Sequence, residues 1–409
     1  MKKDAVILGG GIAGLWCAWE LARLGLKSAI VETAPFPGGH VAQLCCKATD
    51  QCERCGACLL EDILHKVRSS SRISVLLQSD LLQVQGEPGD FHLTISQRPF
   101  RIMPERCNDC GACEAVCPVS GALVRSPWNR AIAINEQRCL WFQDASCRAC
   151  RDACSQEAVK LDRAHDILNV HASTAILASG FKPSDPIETP RFGYGRVPGV
   201  VTGLELESLL RQNRWDPGRS AKVAFIQCVG SRDAKIGRNY CSRVCCAYAL
   251  RLARLLHNRF PQAELSMFYM DIQSFERNFE ERLKEAEQEV KLIRSIPSEI
   301  RTAVDGKPEL IYHGPDDKRA LESFDLVVLS VGISPSHSSA ALGSLLGVGS
   351  NIDGFVGLDG EAVITSRAGV FVAGTVQGPK SIEETVSHAI RTAGQVASYI
   401  AKISRGENQ

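Results

Sequence analysis

Apolar residues come in short runs, each ending at a glycine or a charge. Ala5-Val6-Ile7-Leu8 lies between Asp4 and Gly9 and predicts a short buried strand. Leu15 to Leu24 has small and apolar residues at helical spacing, and Leu26 to Val31 predicts a second strand that stops at Glu32. Strand-then-turn patterns recur at Ala175-Ile176-Leu177-Ala178-Ser179-Gly180, at Val327-Val328-Leu329-Ser330-Val331-Gly332 and at Gly369 to Thr375. Ala221 to Gln227 predicts a further strand. Ser381 to Ile400 predicts a helix, with Ser381 as its N-cap and Glu384 at its third position. Phe275 to Lys291 is rich in charge, with Arg277 and Glu281 four apart, and reads as the solvated face of a helix. Strands alternating with helices predict an α/β fold.

The turn after the first strand carries chemistry. Gly9-Gly10-Gly11-Ile12-Ala13-Gly14 fits G-x-G-x-x-G, and Glu32 follows about 20 residues on. The first glycine permits the tight turn, the second lets a pyrophosphate approach the backbone, and the third seats the helix on the strand. The phosphates then meet the unpaired N–H groups of the helix N-terminus. Glu32 can accept hydrogen bonds from ribose hydroxyls, and its charge disfavours a 2′-phosphate.

Composition narrows the class. The chain has 409 residues, 44% of them hydrophobic, and its formal net charge is +1. That length predicts two or three domains, and so balanced a charge gives no basic field for nucleic acid. No apolar run reaches the roughly 18 residues that a membrane span needs. The start, MKKDAVILGGGIAG, reads as a first strand instead of an export signal, so a cytoplasmic location is expected. The 18 cysteines are clustered, and in a reducing compartment clustered thiols read as metal ligands.

Cys107, Cys110, Cys113 and Cys117-Pro118 follow the bacterial ferredoxin spacing. Cys139, Cys147, Cys150 and Cys154 form a looser second copy, and Gly121-Ala122-Leu123 is echoed by Glu157-Ala158-Val159. The crossover rule for such pairs assigns Cys107, Cys110, Cys113 and Cys154 to one 4Fe–4S cluster and Cys117, Cys139, Cys147 and Cys150 to the other. Upstream, Cys52, Cys55 and Cys58 read as ligands, and either Cys45 or Cys46 would complete a set. A zinc knuckle is the alternative there. The last group, Cys228, Cys241, Cys245 and Cys246, follows the strand Ala221–Gln227. Spacing alone leaves open whether these are ligands or buried structural thiols. The turn Cys228-Val229-Gly230-Ser231-Arg232 lacks the glycines of a pyrophosphate loop. Cys17, inside the first helix, reads as packing.

Gly369 to Ile400 resembles the closing element of FAD-dependent disulfide-reductase-like flavoproteins, whose final helix points its N-terminus at the flavin. The strand-turns ending at Gly180 and Gly332 are similar to those with which such proteins return to the FAD domain. The resemblance implies FAD as the tightly held cofactor, with Gly38, Gly39, Gly180, Gly374, Ser381 and Ile382 joining the glycine motif around it; His40, in the loop near the expected flavin, reads either as a flavin contact or as a loop or core residue.

Three further stretches, Ile226 to Arg232, Tyr240 to Cys246 and Gly378 to Thr385, resemble the A-type subunit of heterodisulfide reductase. With the glycine motif and the ferredoxin spacing, the resemblance spans nearly the whole chain. It implies a thioredoxin-reductase-like flavoprotein with an inserted two-cluster ferredoxin module and about four clusters. The fourth cluster falls on Cys228, Cys241, Cys245 and Cys246, and the family's lysine beside the flavin falls on Lys380. The implied activity is that of an oxidoreductase component passing electrons between flavin and clusters, with electron bifurcation in some members. The implied partners are the B-type and C-type subunits of such a complex, or hydrogenase-linked or quinone-linked proteins, with a homodimer as one assembly. Long members carry further N- and C-terminal iron–sulfur domains, which are not found in this sequence. The expected division is FAD-binding segments at 1–98, 164–218 and 326–409, the ferredoxin module at 99–163, and a second nucleotide-like domain at 219–325. The rival readings are a self-contained NAD(P)H-dependent disulfide-reductase-like flavoenzyme and a zinc-stabilised scaffold.

Overall fold

The computed structural model describes residues 1–44, 52, 55–126, 131–215, 220–273, 275, 279–314, 316–360 and 363–406. Cys45, Cys46 and Arg277 lie outside these residues. The chain builds two parallel-sheet units and a small cysteine-rich insertion.

The first unit is a seven-stranded sheet assembled from distant parts of the chain. Strand Lys2–Leu8 pairs in parallel with Ser28–Val31 on one side and with Asp166–Leu177 on the other. Ile73–Leu76 and Val370–Val372 extend the parallel set. Ser79–Glu87 and Asp90–Gln97 form a hairpin whose second strand runs antiparallel to the first half of Asp166–Leu177. Both faces of the parallel strands are covered, so their sequence is continuously apolar instead of alternating. Ile7 and Ile176 pack under helices Ile12–Arg23, Leu59–Ser69 and Ile382–Ser404, while Val6 and Leu177 face a second core with Phe91, Leu93 and Val370. Cys17 is fully buried in the first core, which raises its thiol pKa and suits a packing role.

The second unit is a five-stranded parallel sheet in the order Val200–Thr202, Leu326–Val331, Lys222–Val229, Glu264–Phe268, Val290–Ile293. Helices Gly203–Arg211 and Cys245–Arg259 cover one face. An antiparallel sheet of Glu299–Thr302, Pro308–His313 and Arg319–Ser323 covers the other through Ile300, Leu310 and Tyr312. The charge-rich stretch is shorter as a helix than its composition suggests. The helix runs Phe279–Ala286, and Lys291 belongs to strand Val290–Ile293, because Val290 and Ile293 are buried against the sheet edge.

The insertion leaves the first sheet after Gln97 and returns at Asp166. Its core is Ile102, Ile132, Ile134, Ala158, Val159 and Leu161 around Cys150, with a hairpin of Leu123–Arg125 and Ile132–Ile134. Buried Arg101 fastens its base, donating to Glu136 Oε1 at 2.7 Å and to the Leu161 carbonyl at 3.0 Å. Among the described residues no helix is long and apolar enough to cross a membrane.

Candidate functional site

A cleft of about 740 Å³ opens at the carboxyl ends of the first parallel strands, a size that suits an organic cofactor. The glycine turn forms its floor. Gly9 has φ 121°, and a Cβ there would stand 2.4 Å from the Ala178 carbonyl oxygen. A Cβ on Gly14 would stand 1.9 Å from the Gly9 carbonyl oxygen, so only glycine lets the helix sit this close to the strand. Helix Ile12–Arg23 starts without a side-chain cap. Its first N–H groups are therefore left for an anion at the cleft.

Of the residues singled out from sequence, Gly9, Gly11, Ile12, Ala13, Glu32, Gly38, Gly39, His40, Gly180, Lys380 and Ile382 line the cleft. Gly10, Gly14, Gly374 and Ser381 are not among its lining residues. Gly10 N–H donates to Glu32 Oε2 at 2.6 Å and Ala34 N–H to Glu32 Oε1 at 2.8 Å. Each oxygen keeps a further lone pair for a ribose hydroxyl. Burial raises the Glu32 pKa against the lowering effect of those two N–H groups.

His40 Nε2 contacts the Phe181 carbonyl at 3.0 Å, and its ring lies on Phe181 with centroids 4.4 Å apart. A carbonyl only accepts, so Nε2 carries the proton and Nδ1 is left as an acceptor. That Nδ1 is buried without a protein partner, and burial lowers the ring's pKa. An orphaned acceptor in a cofactor-sized cleft fits a ligand with N–H or O–H donors, as a flavin dinucleotide has.

The closing helix supplies the opposite wall. Ser381 caps it in a reciprocal box with Glu384. His388 accepts from Gly374 N–H at 2.9 Å and ties the helix to the preceding turn. Lys380 Nζ donates to Gln377 Oε1. Burial pulls the Lys380 pKa down to about 8, with Glu384 opposing and Arg243 reinforcing.

The insertion reaches this cleft. Val124 and Arg125, on its hairpin, line it. Arg125 Nη1 donates to Asp109 Oδ1 at 2.6 Å, and Arg125 Nε to Glu114 Oε1 at 2.8 Å. Nothing in the spacing around Arg125 marks it for this role. Two small cavities divide the insertion's cysteines. Cys107, Cys110, Cys113 and Cys154 line one, together with Asp109, and Cys117, Cys139, Cys147 and Cys150 line the other. The Arg125–Asp109 pair thus joins the wall of the first cavity to the wall of the cleft.

The donor sets are each four soft thiolates, a chemistry that suits iron–sulfur clusters.

The second unit brings its cysteines to the end of its central strand. Cys228 is the penultimate residue of strand Lys222–Val229, and Cys245 and Cys246 start helix Cys245–Arg259. All three are buried, and Cys241 is half-buried. A hydrogen bond from Cys245 lowers the Cys228 thiol pKa, and the same contact pushes Cys245 up to about 12. Cys228 and Arg232 take left-handed φ of 59° and 53°. A Cβ on Gly230 would stand 2.4 Å from Ser184 Cβ, so Ser184 fills the space over this turn.

The N-terminal cysteine loop is described in part. Cys52 and Cys58 are exposed and Cys55 is half-buried. Gly56 presses on the start of the closing helix, where a Cβ would meet Ile382 Cγ2 at 3.0 Å.

Comparison with known proteins agrees with this layout. Residues 7–47 match the NAD(P)-binding Rossmann-like domain family, and residues 99–123 match a 4Fe-4S binding domain. The A-type subunit of the H(2):CoB-CoM heterodisulfide,ferredoxin reductase of Methanothermobacter marburgensis is 32% identical, over 98% of this chain and 64% of the relative. The A-type iron-sulfur subunit of the CoB–CoM heterodisulfide reductase of Methanocaldococcus jannaschii is also 32% identical, over 98% of this chain and 65% of the relative. The chain thus spans a little under two thirds of each. Thioredoxin reductases of Lactococcus lactis and T. acidophilum share the fold. Their TM-scores are 0.54 and 0.53 at 14% and 16% identity, over 98% and 99% of this chain and 99% of each of theirs.

Proposed function

The chain belongs to the family of heterodisulfide reductase A-type subunits, and from that premise we propose that it is the flavin-bearing, electron-distributing component of a heterodisulfide-reductase-like oxidoreductase complex. Its substrate is then handled by partner subunits of that complex. One observation carries the reading: a single cleft is walled by the glycine turn, by Lys380 and by the hairpin of the cysteine-rich insertion. A flavin bound there supplies the exchange between electron pairs and single electrons.

The chain's own residues do the remaining work. The turn Gly9–Gly14 and the uncapped helix behind it hold the pyrophosphate, and Glu32 holds the ribose. His40 offers an acceptor at Nδ1, and Lys380 places a proton that is easily lost near neutral pH beside the ligand. In this reading the cysteine sets hold about four 4Fe–4S clusters: two in the insertion, one on Cys52, Cys55 and Cys58 with Cys45 or Cys46, and one on Cys228, Cys241, Cys245 and Cys246. The left-handed turn at Cys228 and the seating of Ser184 over Gly230 speak against a nicotinamide cofactor in the second unit.

The test is anaerobic purification with iron, sulfide and flavin analysis, followed by reductive titration. The expected result is one FAD and roughly sixteen irons, with the flavin reduced by dithionite and not by NADH. Flavin bleached rapidly by NADH alone, or zinc in place of iron, overturns the proposal.

A further inference from the structure

Between Cys241 and Cys245 stands a residue whose side chain leaves its own unit. Arg243 has a left-handed backbone, φ 63°, a conformation that favours glycine. An arginine held there points to a use for its side chain. Its N–H donates to Cys241 Sγ at 3.3 Å, and its guanidinium lies over the Phe275 ring, 4.1 Å from the centroid. The guanidinium then pairs with Glu384 on the closing helix, a part-buried contact spanning 141 positions of sequence.

Glu384 is already committed on its other side. Its Oε2 accepts Ser381 N–H at 2.9 Å, and its own N–H donates to Ser381 Oγ at 3.2 Å. Lys380 immediately precedes this box and faces the cleft. One carboxylate therefore joins Arg243 from the second unit to the capping box that directly follows Lys380.

We propose that Arg243 is a positioning residue that engages the Glu384 carboxylate, and thereby ties the charge state of the flavin cleft to the cysteine loop of the second unit. The proposal rests on the flavin reading above and adds a residue that sequence spacing does not reveal. Glu384 and Arg243 are the charged groups that act on Lys380, in opposite directions. Burial raises the Glu384 pKa, but Ser381 N–H and Arg243 outweigh it and hold the carboxyl below its usual range. The other ionisable groups lining the cleft are Glu32, His40, Asp80, Arg125 and Arg211, and they come from other walls. Glu383 on the same turn lies against Gly56. Without Arg243, the full charge of Glu384 becomes available to Lys380, and an opposite charge at close range favours the ammonium.

The test follows the flavin midpoint potential against pH, by anaerobic spectroelectrochemistry on the cluster-loaded chain from about pH 6 to about pH 10. The wild type should show a break near pH 8, set by the Lys380 pKa of about 8, and Lys380→Met should abolish it. Arg243→Gln should move the break up to about pH 9, and Glu384→Gln down to about pH 7. The double variant should return close to wild type, because each change removes one partner of the same pair. Arg243→Lys should restore part of the shift. A residue that merely joined the two units would lower flavin content without moving the break. No break in the wild type, an unmoved break in Arg243→Gln, or parallel shifts in both single variants overturns the inference. A chain that holds no flavin overturns the functional reading instead.

Discussion

The two parallel-sheet units use the same frame and end it differently. In the first, strand Lys2–Leu8 gives way to glycines so tightly packed that a Cβ would strike a carbonyl, and a cleft opens beyond them. In the second, strand Lys222–Val229 carries Cys228 as its penultimate residue, and Ser184 occupies the space over Gly230. A parallel sheet delivers whatever follows its strands to one edge. The contrast teaches that this edge is a mounting position. On the proposed reading, glycines there admit a ligand's phosphates to the backbone, and thiols there replace the small-molecule contact with soft donors.

Substitutions can break that contrast from either side. The largest effect is expected from Gly14→Val, whose side chain would collide with the Gly9 carbonyl. Overpacking of this kind costs about 1–3 kcal/mol or more, and here it pushes the helix off the phosphate position. The variant should bind no flavin by absorbance, while amide exchange at Val223 to Ile226 stays slow. Cys228→Ser tests the other edge. It should lose about a quarter of the iron, one cluster in roughly four, and keep its flavin, whereas Cys17→Ala should leave the iron unchanged. An iron content equal to wild type in Cys228→Ser would remove the second unit from the electron path.

Smaller effects sharpen how the first edge is held. His388→Ala leaves Gly374 N–H without its acceptor and should cost about 1–3 kcal/mol in denaturant unfolding. Ser381→Ala removes one bond of the capping box and should cost about 1 kcal/mol, measured in the same way.

Much of the architecture is legible because it is written at short range. The run Ala5–Leu8, the glycine spacing and Glu32 lie within one supersecondary unit, so local pattern carries them. The cysteine spacings are local too, and the capping box at Ser381 and Glu384 lies within a single turn. What sequence does not reveal depends on contacts between distant segments. His40 meets Phe181 across 141 positions, Arg125 reaches the main cleft from a hairpin in the insertion, and Arg243 reaches Glu384 from another unit. No spacing rule encodes such meetings, because they arise only once the sheets have closed. The charge-rich stretch shows the converse failure. Its polarity suggests one solvated helix, but Val290 and Ile293 turn its end into a buried edge strand.

The first sheet is completed by Val370–Val372, which pairs with Ala175–Leu177, and the closing helix then packs on Ile12–Arg23. The insertion's fold, in contrast, is contained between Gln97 and Asp166. On the ribosome these parts emerge in a fixed order. The insertion's cysteines are all exposed to the assembly machinery while the wall bearing Lys380 is still unsynthesised. On the proposed reading, metal loading of the insertion can therefore precede closure of the cleft that would hold the dinucleotide.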